Sequence, residues 1–100
     1  MVVQFDNYEL VSYYEGSHKR KLPFQLSVVK QFQKVVNLMV AAPNFNELKR
    51  VNSLRIHPLK NELVGSWAAR VNDQYRLIFR LNEVEKVEII TLEDLTDYHH

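Results

Sequence analysis

Two stretches of the chain hold side chains able to move protons or steady negative charge: His57-Pro58-Leu59-Lys60 and the closing Asp97-Tyr98-His99-His100. Histidine exchanges a proton near neutral pH, and lysine or arginine stabilises a developing anion. RNA brings its own nucleophile, the 2′-hydroxyl. Cleaving it needs a base for that proton, an acid for the departing 5′-oxygen, cations around the phosphorane and an aromatic ring to hold a nucleobase. The chain offers each of these parts, and Arg70, Arg76 and Arg80 add guanidinium groups between the two stretches. Taken singly, each part also has a plain structural reading. His57 reads as a loop residue ahead of a proline, Lys60 as a solvated surface lysine, the arginines as weak partners of acidic side chains, and Tyr98 as a ring lying on a sheet. His99 and His100 also read as an added tail.

Other chemistries find less support. The sequence has no cysteine, which excludes disulfides, thiolate nucleophiles and cysteine metal sites, and which fits a reducing cytoplasm. His57, His99 and His100 lack a carboxylate at ligand spacing, so neither a metal centre nor a cofactor is expected. No apolar run approaches the roughly 20 residues that span a bilayer, and the opening residues carry no basic leader. The net charge of +1 conceals an asymmetry: through Arg80 there are 12 Lys/Arg against 6 Asp/Glu, and beyond it 1 against 6. A basic body with an acidic tail suits a polyanionic partner, or two halves that neutralise each other in the fold.

The elements that must position these groups follow from periodicity. Val2-Val3-Gln4-Phe5 reads as a strand. Asn7 caps a short helix through about Glu15, with Leu10, Val11 and Tyr14 on one face. The stretch Gly16 to Lys21 is a basic loop. Pro23 opens a longer helix in which Val28, Val29, Phe32, Val35, Val36 and Met39 keep three-and-four spacing, and Ala41-Ala42-Pro43 ends it. Asn44, with Glu47 three residues on, caps one further turn.

From Leu54 the period changes. Leu54 to Ile56, Trp67 to Val71, Tyr75 to Leu81 and Val87 to Ile90 read as strands, and the stiff loop after Ile56 carries His57 and Lys60. Helices first and strands afterwards indicate an α+β domain with helices packed on one face of a largely antiparallel sheet. In the central hairpin, Trp67, Ala69 and Val71 must share a face with Tyr75, Leu77, Phe79 and Leu81. That requires an odd loop, Asn72-Asp73-Gln74, with Val71 opposite Tyr75. Arg70 then faces Arg76 on the other side, with Arg80 further along, and this repulsion calls for an anionic side chain or ligand.

The segments Leu54 to Lys60, Gly65-Ser66-Trp67, Arg70-Val71-Asn72-Asp73-Gln74-Tyr75-Arg76-Leu77-Ile78-Phe79-Arg80 and Asp97-Tyr98-His99 resemble, in order and spacing, the HigB branch of the RelE/ParE toxins. The likeness is dense from Leu54 to Ile90 and returns at the end, while the N-terminal half agrees in element order. It implies a RelE-like α+β fold, with residues 1–100 as one toxin domain, and a ribosome-dependent endoribonuclease that cleaves mRNA in the cytoplasm. It also implies neutralisation by a small helix-turn-helix antitoxin of HigA type, with DNA met only through that antitoxin. By motif position the active residues fall on His57, Lys60, Arg76, Asp97, Tyr98 and His99. His57 and His99 are the proton-transfer candidates, either one being base or acid, and Asp97 orients them or shares that role. Lys60 and Arg76 would hold the scissile phosphate, and Tyr98 would stack on a base. Arg70, Arg80 and Lys19-Arg20-Lys21 are candidates for RNA contact.

Two features depart from the family pattern. Asn61 stands where glycine is common after the loop lysine. Thr91 to Thr96 separates the last expected strand from Asp97: a loop or short helix that folds back would keep the terminus in the site, and a segment that carried the terminus away would leave the activity to His57, Lys60 and Arg76 alone. The fold also admits a ParE-like gyrase inhibitor, or a decayed toxin acting as co-repressor.

Overall fold

The hairpin of β3 (Ser66–Arg70) and β4 (Tyr75–Val84) sets the frame of the computed structural model, which describes residues 1–17 and 21–97. Ala69 lies opposite Leu77 and Arg70 opposite Arg76, and the Val71 amide donates to the Tyr75 carbonyl at 3.0 Å. The turn is Asn72-Asp73-Gln74, as the facing of the apolar residues requires. Asn72 closes it: its Oδ1 accepts from the amides of Gln74 at 2.9 Å and Tyr75 at 2.7 Å, an Asx-type turn. Around this hairpin the sheet has five strands in the order β1-β5-β4-β3-β2, with β1 (Val2–Phe5), β2 (His57–Pro58) and β5 (Val87–Asp97). β1 runs parallel to β5 and the other pairs are antiparallel.

Three helices, α1 (Tyr8–Glu15), α2 (Leu26–Ala41) and α3 (Phe45–Lys49), precede the hairpin. Two begin at caps visible in the sequence, with Asn7 Oδ1 accepting from the Glu9 amide at 3.0 Å and Asn44 Oδ1 from the Glu47 amide at 2.8 Å. The stripe on α2 is fully buried, Phe32, Val35, Val36 and Met39 being 0% exposed. It packs in one cluster with Leu10, Tyr13 and Leu48 from the other helices and Ala69, Val71, Leu77, Phe79, Ile90, Leu92 and Leu95 from the sheet. Burying each large side chain of this kind contributes roughly 1.5–3 kcal/mol. On α1 the buried pair is Leu10 and Tyr13 rather than Val11 and Tyr14, which are half-buried.

Three expected boundaries move, each for a tertiary reason. α2 starts at Leu26 instead of Pro23, because Phe24 is held edge-on against Tyr13 and Tyr75 at centroid distances of 5.3 and 5.5 Å. The expected strand Leu54 to Ile56 is instead a 3-10 turn, Asn52–Leu54, followed by Arg55 in the left-handed region (φ 44°). Leu54 reaches the core from that turn, and the strand pairing shifts to His57 and Pro58, so His57 lies in a short edge strand instead of a loop.

The third change concerns Thr91 to Thr96, which is neither loop nor helix. It continues β5 to Asp97. Leu92 and Leu95 are three apart, a spacing that breaks strand alternation. A bulge absorbs it: Phe79 pairs with Leu92 and Ile78 with Asp94, leaving Glu93 as the extra residue, so both leucines face the core. The strand thereby runs back to the hairpin turn, with Asp97 opposite Tyr75 and Thr96 opposite Arg76.

Candidate functional site

The face of the sheet away from the helices holds three of the groups singled out for chemistry, His57, Arg70 and Arg76. Cross-strand partners share a face, so the register writes its rows directly. One row runs His57, Ala68, Ile78, Asp94, and the next runs Arg70, Arg76, Thr96. His57 and Arg76 thus stand on one surface, separated by two strand spacings and two residues, roughly 12 Å between Cα atoms by standard strand geometry.

His57 is half-buried, and its Nδ1 lies 2.9 Å from the Arg55 carbonyl oxygen. A carbonyl only accepts, so Nδ1 carries the proton in that bond and the neutral ring keeps its lone pair on Nε2. The left-handed turn at Arg55 is what aims that carbonyl. Such a conformation costs a non-glycine residue about 1–2 kcal/mol, and here it fixes the tautomer of the imidazole.

Arg76 is fastened to the hairpin turn, donating from Nη1 to the Asn72 carbonyl and, at 3.1 Å, to the Tyr75 carbonyl. Arg70 pairs with Asp73 at 2.5 Å. The Asp73 carboxyl is held below the usual carboxylate range by the Arg70 hydrogen bond and charge, then by the charges of Arg76 and Arg55. Asp97 closes this end of the sheet, its Oδ2 accepting from Gln74 Nε2 at 2.9 Å. By register Asp97 shares the face of Tyr75, so it stands at the strand's edge beside the arginine row rather than within it.

Lys60 is exposed at the start of the 3-10 turn Asn61–Leu63. The Leu59 amide donates to the Ser66 carbonyl at 2.8 Å, which keeps the chain against β3 beyond Pro58. β2 runs away from the arginine row, so Lys60 lies on the far side of His57, roughly 15–20 Å from Arg76 by strand spacings. The two cations flank the histidine instead of converging on one atom. Asn61 takes φ 60° where the family pattern has glycine, and the turn is kept.

Arg80 is already engaged, its Nε 3.2 Å from Glu93 and an Nη 3.5 Å from Asp6. This pairing joins the basic body to the acidic tail. Ser66 Oγ also donates to Glu93, at 3.1 Å. Beside these groups a shallow groove of about 330 Å³ runs between Leu59, Leu63 and Ile78 on its apolar side and Glu93, Asp94 and Thr96 on its polar side. Lys21 is exposed ahead of α2. Lys19, Arg20, Tyr98, His99 and His100 lie outside the described residues. Among the described residues no group of three His, Cys, Asp or Glu is placed to hold a metal, and no helix is long and apolar enough to cross a membrane.

Two contributors escaped the sequence reading. Arg55 reads as an ordinary strand residue, and only the structure shows it in the left-handed turn that brings its carbonyl to His57. Asn72 carried a readable signal, an Asn at the head of an odd hairpin loop, whose role is to hold both the turn and, through its carbonyl, Arg76.

The family model for HigB-like toxins, described as RelE-like toxins of the type II toxin-antitoxin system HigB, matches residues 3–99. No curated protein matches by sequence. Among solved structures, a YoeB/ParE toxin from Agrobacterium tumefaciens is similar with a TM-score of 0.59 at 12% identity, over 99% of this chain and 100% of that one. YafQ from E. coli strain BL21(DE3) gives 0.60 at 18%, over 95% and 90%. A YoeB-YefM complex from Staphylococcus aureus gives 0.54 at 17%, over 100% and 98%. At such identities these structures establish a shared RelE-like α+β fold.

Proposed function

We propose that this chain, which belongs to the HigB-like family of RelE-like toxins from type II toxin-antitoxin systems, arrests growth by cutting mRNA on the ribosome with the RNA's own 2′-hydroxyl. The observation that carries this reading is the His57 ring, held as a proton acceptor by the Arg55 carbonyl on the same open face as Arg76. In the step, the 2′-oxygen bonds to phosphorus as its proton passes to His57 Nε2. The P–O5′ bond breaks, the 5′-oxygen takes a proton from the acid, and the products are a 2′,3′-cyclic phosphate and a 5′-hydroxyl end. Arg76, with Arg70 behind it, stabilises the charge on the phosphorane. Lys60, on the far side of His57, holds the backbone of a neighbouring nucleotide.

His99, two residues beyond Asp97, is the acid in this scheme, Asp97 orients that end, and Tyr98 stacks on a base. Lys19, Arg20 and Lys21 lend phosphate contacts to ribosomal RNA. No metal enters any step. Action on the ribosome places the protein in the cytoplasm. The YoeB-YefM structures pair a toxin with its antitoxin, and a small helix-turn-helix antitoxin of HigA type is the partner expected here.

The test is primer extension on mRNA from a translating lysate. Wild-type protein should produce new ends within codons, and Arg76→Ala should lower the rate about 10²–10³-fold, the usual loss when one charge-stabilising donor is removed. His57→Ala should fall comparably. Undiminished cutting by both variants rejects the site. Intact mRNA together with DNA-damage signalling moves the protein to the gyrase inhibitors, and absence of growth arrest moves it to the co-repressors.

A further inference from the structure

The β2–β3 register places His57 opposite Ala68 and Pro58 opposite Trp67. Arg55 stands two residues ahead of this strand, in the left-handed turn that leads into it, and Arg70 is paired with Arg76 across β3 and β4. Two guanidinium groups therefore face each other on neighbouring strands about 4.8 Å apart, with that of Arg55 at the turn ahead of β2. Like charges so placed repel, and a row of this kind persists only with an anion to share. The anion at hand is Asp73, at the tip of the hairpin turn, paired with Arg70 at 2.5 Å while its side chain stays 97% exposed. Its carboxyl is drawn down by Arg70 first and then by Arg76 and Arg55, so all three arginines act on one exposed carboxylate.

The turn does not need Asp73. Its hydrogen bonds are made by Asn72, and Asp73 contributes neither a cap nor a buried contact. An exposed ion pair of this type adds little to stability and is readily exchanged. A phosphodiester oxygen offers guanidinium the same charge-assisted, acceptor-only geometry as a carboxylate oxygen.

We propose that Arg55, Arg70 and Arg76 form one phosphate-binding row for the RNA backbone, and that Asp73 is the resting counter-anion that gives way when RNA enters. This deepens the nuclease reading, adding Arg55 as a substrate contact and Asp73 as an internal competitor. Asp73 lowers affinity for the polyanion and keeps the row from collecting adventitious anions. Arg55 does two jobs: its side chain meets the backbone, and its carbonyl holds the His57 ring.

The experiment measures binding without cleavage. A fluorescent 2′-O-methyl RNA oligonucleotide, whose nucleophile is blocked, is titrated with the full chain by anisotropy across a salt series. Asp73→Asn keeps the shape of the turn and should bind several-fold more tightly than wild type. It should also bind more tightly than Glu85→Gln, which removes one negative charge from the β4–β5 turn at the other end of the sheet. Arg55→Ala should bind more weakly and flatten the slope of log affinity against log salt by about 0.7, one single-strand phosphate contact.

Equal affinities for Asp73→Asn and Glu85→Gln overturn the counter-anion. An unchanged slope in Arg55→Ala removes that residue from the row, and binding by wild type that ignores salt overturns the whole row. If the oligonucleotide behaves as stated while mRNA stays uncut on ribosomes, the phosphate row stands and the nuclease reading falls. Cleavage without these shifts has the converse meaning.

Discussion

Phe79 and Ile78 are neighbours in β4, both buried, and they belong to different worlds. Phe79 is 0% exposed among the side chains of α2, α3 and β5, with Phe45 edge-on at 6.2 Å. Ile78 is 8% exposed on the opposite face, outside the core cluster, between Ala68 and Asp94. The inner face is held by close packing of apolar side chains. The outer face is a surface of charges in which three arginines have each been given an anion or a carbonyl: Arg80 with Glu93 and Asp6, Arg70 with Asp73, Arg76 with the turn carbonyls. A sheet covered on one side supplies rigidity from its inner face and leaves the outer face free to be shaped for a ligand.

The sharpest way to use this contrast is to damage the inner face alone. Phe79→Ala removes a ring from a packed interior and should cost about 3–5 kcal/mol, read as a lower urea midpoint with an unchanged slope. For a small domain that is a large share of the total stability. Arg76→Ala on the outer face should leave the midpoint nearly unmoved while destroying activity. If the arginine variant melts as early as the phenylalanine one, the two faces are not separable.

How much of this was legible beforehand depended on which period dominated. The hairpin from Ser66 to Leu81 alternates cleanly, so its facing, its odd loop and the Arg70–Arg76 juxtaposition all followed from residue types. The α2 stripe and the caps at Asn7 and Asn44 were likewise local. What failed was local reading against tertiary demand. Phe24 is pulled out of the expected helix by two aromatic rings, and Leu54 enters the core from a turn. Thr91 to Thr96 hid a strand because Leu92 and Leu95 stand three apart. Alternation alone has no means of seeing a bulge, and with the bulge absorbing that spacing the continued pairing of β5 with β4 returns Asp97 to the hairpin turn. The candidate residues His57 and Arg76 were identifiable by type and motif. Arg55 needed the left-handed turn ahead of β2, and the flanking position of Lys60 needed the register.

The bulge offers a second, smaller test. Deleting Glu93 leaves Leu92-Asp94-Leu95-Thr96 in unbroken alternation, so both leucines keep the core face and the pairs Phe79–Leu92 and Ile78–Asp94 survive. The deletion should therefore fold, at a cost of about 1–3 kcal/mol from leaving the buried Ser66 hydroxyl without its carboxylate. Ser66→Ala in the same background should recover part of that loss. Deleting Leu92 instead keeps the later pairs but moves Glu93 into the core position opposite Phe79, and burying that carboxylate should prevent folding. Equal damage from both deletions would show that the bulge is required in itself and does more than absorb a spacing.

The smallest effect belongs to Arg80, and it separates the two faces most finely. Arg80 touches two carboxylates on the outer face, yet its side chain is 50% exposed, Asp6 61% and Glu93 27%. Water and salt screen such pairs, so Arg80→Ala should lower stability by less than about 1 kcal/mol, and the difference should shrink further in high salt. The register puts Arg80 opposite Ser66 and Thr91, four positions along β4 from Arg76. Removing it should leave the affinity of the arginine row for an RNA backbone close to that of wild type. A loss on the scale of Phe79→Ala would mean that the outer charges brace the fold, and that the surface assigned to a ligand is a structural layer.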